Sequence, residues 1–163
     1  MTRNELTLSL IRAGLYSGAW TLDDDTYEPV SREFVSAAMV EFPSFLPPEL
    51  RTLRDVGGGK KLAAPLWLPE AWDCDNLARA FGVYVGICMA RDAVLTKRPR
   101  GNIAGGKLNF IKKPATAEKP AVGHAINWFV DHEWNVFCVD CATLNVTDLT
   151  DAQRASIFAG ESI

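Results

Sequence analysis

The chain has 163 residues, 48% of them hydrophobic with five Trp and eight Phe, and a net charge of −3. It is long enough to bury a core and too apolar for disorder, and so small a charge excludes a global attraction to nucleic acid or membrane. Four cysteines (Cys74, Cys88, Cys138, Cys141) are not needed as a disulfide framework in so apolar a chain, no basic region followed by an apolar run opens it, and no apolar stretch approaches the roughly 20 residues of a spanning helix, so an intracellular, cytoplasmic, reduced protein is expected.

From the N-terminus, Asn4 to Leu15 carries Leu6, Leu10, Ile11 and Leu15 at helical spacing, and Gly14 and Gly18 weaken the helix beyond that point. Asp23 to Pro29 is an acidic loop. Ser31 is placed to cap a helix through Phe42, with Phe34, Val35, Ala38, Met39 and Phe42 on one face and Pro43 as its end. Pro47-Pro48 starts a short helix, Glu49 to Val56, which Gly57-Gly58-Gly59 terminates. Pro65 to Pro69 is too proline-rich for a central strand and reads as an extended lead-in. A long helix follows from Asp73 or Cys74 to about Arg91, burying Leu77, Ala78, Phe81, Val85 and Cys88. Residues 97–119 hold seven Lys or Arg against one acid and are broken by Gly and Pro, which predicts a solvated basic loop with a short strand from Lys107 to Ile111. Gly123 to Val130 and Trp134 to Asp140 form a hairpin about Asp131-His132-Glu133. Thr150 or Asp151 caps a last helix. The expected division is one domain, 1–163, with an N-terminal helical segment over residues 1–60, a core 65–142 and a C-terminal helix 150–159.

Three residue types stand in a workable order for nucleophilic chemistry. Cys74 opens a helix, whose N-terminal amides and dipole favour a thiolate. Pairing the hairpin about residue 132 sets His124 opposite Asp140, Ile126 opposite Cys138 and Trp128 opposite Val136, so the imidazole and the carboxylate become cross-strand neighbours. Cys74, His124 and Asp140 are then candidate nucleophile, base and orienting acid, with the Cys74 N–H as an oxyanion donor. Trp72, Asn76 and Asn127 are the candidate oxyanion or substrate-binding side chains, Trp72 through its indole N–H. Asp73 and Asp75 oppose a thiolate unless they face away as helix-start charges or bind a hard cation such as Ca²⁺ with help from Asp23 to Asp25. His132 is the competing base but falls in the turn. Cys138-x-x-Cys141 lacks a second pair for zinc, and its members have opposite strand parity, so packing accounts for them better.

The segments Trp72-Asp73-Cys74-Asp75-Asn76-x-Ala78, Gly123-His124-Ala125-x-Asn127 and Val136-Phe137-Cys138-Val139-Asp140 resemble the papain-like cysteine peptidase domain at the C-terminus of a fungal agglutinin and in related phage-encoded proteins. The hairpin is also similar to the histidine and aspartate strands of transglutaminase-like enzymes. The resemblance spans residues 65 to 142. It implies an α+β, papain-like fold in which the nucleophile-bearing helix packs on a small antiparallel sheet. It also implies a cysteine hydrolase (a thiol protease) that cleaves an amide bond of a protein or peptide through a thioester, or an amidase or acyl transferase with the same triad. Calcium dependence in the agglutinin-type peptidase directs attention to Asp73 and Asp75. Two departures, Cys141 in place of Pro after Asp140 and no upstream Gln, support the alternative from another class. That alternative is a non-catalytic binding or inhibitory protein on the same scaffold, such as a phage-encoded inhibitor in the host cytoplasm.

Overall fold

A computed structural model describes residues 1–16, 19–55, 57–68, 73–99 and 101–162. The first helix, α1 (Arg3–Arg12), is fixed by a capping box in which Glu5 N–H donates to the Thr2 hydroxyl and Thr2 N–H to the Glu5 carboxylate. Strands β1 (Ala19–Thr21) and β2 (Tyr27–Glu28) follow. Helix α2 (Arg32–Phe45) is capped by Ser31, which accepts the Phe34 N–H at 3.1 Å. It runs past Pro43, its expected end. One lost backbone bond in a last turn is tolerable where Phe42 is buried and Phe45 packs on Tyr84 at 4.8 Å between ring centroids.

The expected helix over residues 49–56 is instead a 3₁₀ turn, Pro48–Leu50, and a hairpin of β3 (Arg51–Asp55) and β4 (Lys61–Pro65). Gly57, Gly58 and Gly59 all have positive φ, the backbone that a tight reversal needs, so the glycines turn the chain rather than stop a helix. Helix α3 (Cys74–Leu95) outruns its predicted end because Ala93 continues the buried face one turn beyond Met89. The supposed basic loop holds β5 (Asn102–Ile103) and the nine-residue β6 (Gly105–Lys113). Strands β7 (Val122–Val130), β8 (Val136–Asp140) and β9 (Asn145–Thr147) come next. The last helix, α4 (Asp151–Ala155), is short, and the expected helical residues after it form β10 (Ile157–Ser162).

These strands make a six-stranded sheet in the order β1-β10-β6-β7-β8-β9, with the β1/β10 pair parallel and the others antiparallel, beside a β2/β5 pair and the β3/β4 hairpin. The expectation of a small antiparallel sheet is corrected on this point: the sheet is mixed and larger. Strand alternation divides the core. Ala125, Phe129, Phe137, Val139 and Cys141 pack with α2 and α3, whereas Leu108, Ile126, Trp128, Val130 and Cys138 pack with α1. Cys138 and Cys141 thus lie in different clusters. Among the described residues no helix is long and apolar enough to cross a membrane.

Candidate functional site

The β7/β8 hairpin decides which side chains meet. Its register pairs Asn127 with Val139, Trp128 with Cys138, Phe129 with Phe137 and Val130 with Val136. The predicted register is therefore displaced by two residues, with parity kept. The Asp131 carboxylate accepts the N–H groups of Glu133 and Asn135, both at 2.9 Å, and Trp134 takes a left-handed φ of 68°, so the loop closes at Asn135. Continued by one residue, this register sets Asp140 beside Ile126 and makes His124 its diagonal neighbour. Both side chains are long enough to span that diagonal, and His124 Nε2 lies 3.0 Å from Asp140 Oδ2.

Cys74 is the first residue of α3, and His124 is the group that acts most strongly on its thiol. Nε2 is the ring nitrogen that meets Asp140. An edge contact with Phe110, 5.7 Å between centroids, bounds the ring. The bond from His124 draws the thiol below its ordinary value. Burial opposes that shift, the Ala125 N–H supports it, and the Asp73 charge opposes it. Burial alone would hold His124 neutral, yet its bonds to Asp140 and Cys74 push it up to about 9. Asp140 is also penalised by burial but is held below the ordinary carboxyl value by His124 and by the N–H groups of Ala142 and Thr143, at 3.0 and 3.3 Å. The three directions all favour the charged forms: the thiol and the carboxyl are drawn down and the imidazole is drawn up. Burial drives the other two core thiols the opposite way, Cys138 to about 12 and Cys141 upward. Cys88 is partly buried, beside Tyr84, whose hydroxyl donates to Glu41 at 3.1 Å.

The remaining predicted site residues scatter. Trp72 lies outside the described residues. Asn76 is exposed, its N–H on the Asp73 carboxylate at 3.4 Å. Asn127 is fully buried and donates to Ala78 O at 2.9 Å and Gly106 O at 3.2 Å, tying α3 to β6. Asp73 caps α3. Asp75 pairs with Lys107 and Arg79, and Asp25 with Arg3. Among the described residues no group of three or more His, Cys, Asp or Glu is placed to hold a metal ion, and the aspartates expected to share Ca²⁺ are engaged separately. His132 stays in the β7/β8 turn.

Two contributors carried no signal in the sequence. Arg54 of β3 donates to Thr143 O at 2.9 Å and Ala142 O at 3.1 Å, clamping the turn whose amides hold Asp140. Lys107 is the other, visible only as a lysine within an apolar run. Beside this turn runs a groove of about 610 Å³, its apolar lining supplied by Met39, Val40, Leu62, Ala64 and Leu144.

No protein-family model and no curated protein matches the chain. Solved structures do. A PSL1a–E64 complex aligns with a TM-score of 0.59 at 18% identity, covering 99% of this chain and 50% of that one. The Polyporus squamosus lectin bound to the human-type influenza-binding epitope Neu5Aca2-6Galb1-4GlcNAc aligns with a TM-score of 0.58 at 18% identity, covering 99% of this chain and 49% of that one. The chain spans about half the length of these lectins, and the likeness is one of fold. This corrects the papain-like and transglutaminase-like cysteine peptidase assignment. The neighbours bear a lectin's name, and the β-rich mixed sheet is the fold shared with them.

Proposed function

We propose that the chain is a binding protein whose ligand cleft is built around an activated thiol, Cys74, with His124 and Asp140 as the groups that activate it. The observation that carries this reading is the 3.0 Å bond between His124 and Asp140, together with the downward pull of His124 on the Cys74 thiol at the start of α3. A thiolate in that setting is a strong ligand for electrophilic or hydrogen-bonding groups. The ligands named for the similar lectins, E64 and a sialylated trisaccharide, replace the expected protein or peptide as first candidates. Incubation with E64 followed by intact-mass measurement is the direct test. One equivalent should be retained by the native chain and lost in Cys74→Ala and His124→Ala. In parallel, iodoacetamide at pH 7 should label Cys74 fastest of the four cysteines. No retained E64 together with labelling of Cys74 no faster than that of Cys138 would remove the thiol from the proposed site.

A second reading is favoured by the Asp140 bond to His124, which a merely ligating thiol does not require. In it, the Cys74 sulfur attacks an acyl carbonyl and the leaving group departs with a proton from His124, giving a thioester. An amine acceptor then takes the acyl group, His124 takes the amine's proton, and the thiol is restored. Turnover of an acyl donor, absent in Cys74→Ala, would favour this reading. A stoichiometric adduct without turnover would keep the chain a binding protein.

A further inference from the structure

We propose that Lys107 is a positioning residue for the Cys74 thiol: its buried ammonium draws the Asp75 carboxylate toward β6 and cancels a charge that would otherwise oppose the thiolate. This inference rests on the reading of Cys74 as a reactive thiol. Asp75 directly follows Cys74, and a free carboxylate there would disfavour negative sulfur. The Lys107 side chain is only 4% exposed, whereas the other two lysines of β6, Lys112 and Lys113, lie at its exposed end. Its register neighbours are Glu161 on β10 and Asn127 on β7. The ammonium is ion-paired with Asp75 and lies 3.4 Å from Glu161, while Arg79 Nε lies 3.5 Å from each of those carboxylates. Two cations and two anions thus close a neutral network over the first turn of α3.

Burying an ammonium is costly, and a Met at 107 would fill the same stem volume without that cost. A purpose beyond packing accounts for the charge. The titratable groups near the first turn of α3 and around His124 come from several elements, of which His124 and Asp73 act on the thiol directly. His124 comes from β7, Asp140 and Cys141 from the end of β8, and Asp73 and Asp75 from the start of α3. Lys107 comes from β6 and Glu161 from β10, and Lys112, also of β6, acts on His124. Asp73 caps the helix and opposes ionisation of the sulfur. Asp75 is turned onto Lys107 and Arg79 instead.

The test is the pH midpoint of Cys74 alkylation by iodoacetamide, read by peptide mass on the full chain. Lys107→Met should raise the midpoint by about one unit, the size expected for an uncompensated neighbouring carboxylate. Lys107→Arg should keep it, and the double variant Lys107→Met/Asp75→Asn should restore it. A purely structural role would not be restored by removing the carboxylate. Should Lys107→Met fail to fold, Asp75→Asn alone decides: it removes the carboxylate beside Cys74 while keeping the ammonium and should lower the midpoint, and an unchanged midpoint overturns the proposal. A raised midpoint that the double variant does not restore also overturns it. The underlying thiol reading fails separately, if the native chain and His124→Ala share one midpoint at the ordinary thiol value.

Discussion

At the scale of single residues, the cluster of Cys74, His124 and Asp140 couples ionisation to stability in opposing directions. His124 is raised from an ordinary 6.5 to about 9, so its stabilising contribution is complete below pH 6.5 and is lost as the pH rises through 9. The depressed Cys74 thiol runs the other way: its contribution is present above the ordinary 9.0 and fades as the pH falls through its lower folded value. In the native chain the two offset one another between neutral pH and 9. Cys74→Ala removes one side of that balance while leaving the Asp140 bond to His124. The variant should therefore lose about 1–2 kcal/mol between pH 6 and pH 9, and the native chain should lose less. Urea unfolding at the two pH values measures this, and identical pH dependence for both chains would show that the groups are not coupled. The meeting of His124 and Asp140 was legible because strand parity survives the two-residue shift of register, and the place of Cys74 because a helix start was expected there. Arg54 and Lys107 were not, because their roles exist only across elements distant in sequence.

At the scale of elements, α3 carries the site on one end and the core on its face. Phe81 is fully buried, with its ring edge-on to Phe42 at 5.2 Å and to Phe129 at 6.2 Å, so it joins α2, α3 and β7. Phe81→Ala should cost roughly 3–5 kcal/mol through lost burial and the cavity left between the Phe42 and Phe129 rings. A thermal melt unchanged from native would contradict that packing. The same face explains why α3 was readable: Leu77, Phe81, Val85 and Met89 keep helical spacing. The β3/β4 hairpin was not readable, since most of Arg51 to Asp55 is exposed and shows no alternation to separate strand from helix. Strand β6 was read only as a short piece, Lys107 to Ile111, because Lys107, Lys112 and Lys113 make a basic composition that the ion pairs of Lys107 reconcile with the sheet interior. The hairpin register was missed by two residues because the Asp131 carboxylate, rather than strand pattern, sets the loop length.

At the scale of the whole molecule, the last strand is inserted rather than appended. Strand β10 lies between β1 and β6, parallel to one and antiparallel to the other, so the chain's end closes the sheet against residues from its beginning. That insertion depends on backbone approaching backbone and aromatic ring. A Cβ on Gly106 would lie 1.8 Å from the Glu161 carbonyl oxygen and 2.7 Å from the Trp128 ring. The carbonyl belongs to a paired strand and Trp128 is fully buried, so neither can give way as the tip of a flexible side chain would. Gly106→Ala should therefore destabilise the fold by about 3 kcal/mol or more, the upper end of overpacking costs. Gly123 supplies the control, because a Cβ there meets only the Phe110 carbonyl oxygen, at an ordinary 4.0 Å. Gly123→Ala should change stability by less than about 1 kcal/mol, the range of a substitution that creates no clash. Glu161, whose backbone Gly106 admits, also carries the carboxylate that completes the Lys107 network, so Gly106→Ala should disturb the Cys74 alkylation profile as well as the melt. Equal melting temperatures for the two glycine variants would show that β10 does not seat against β6 at this point.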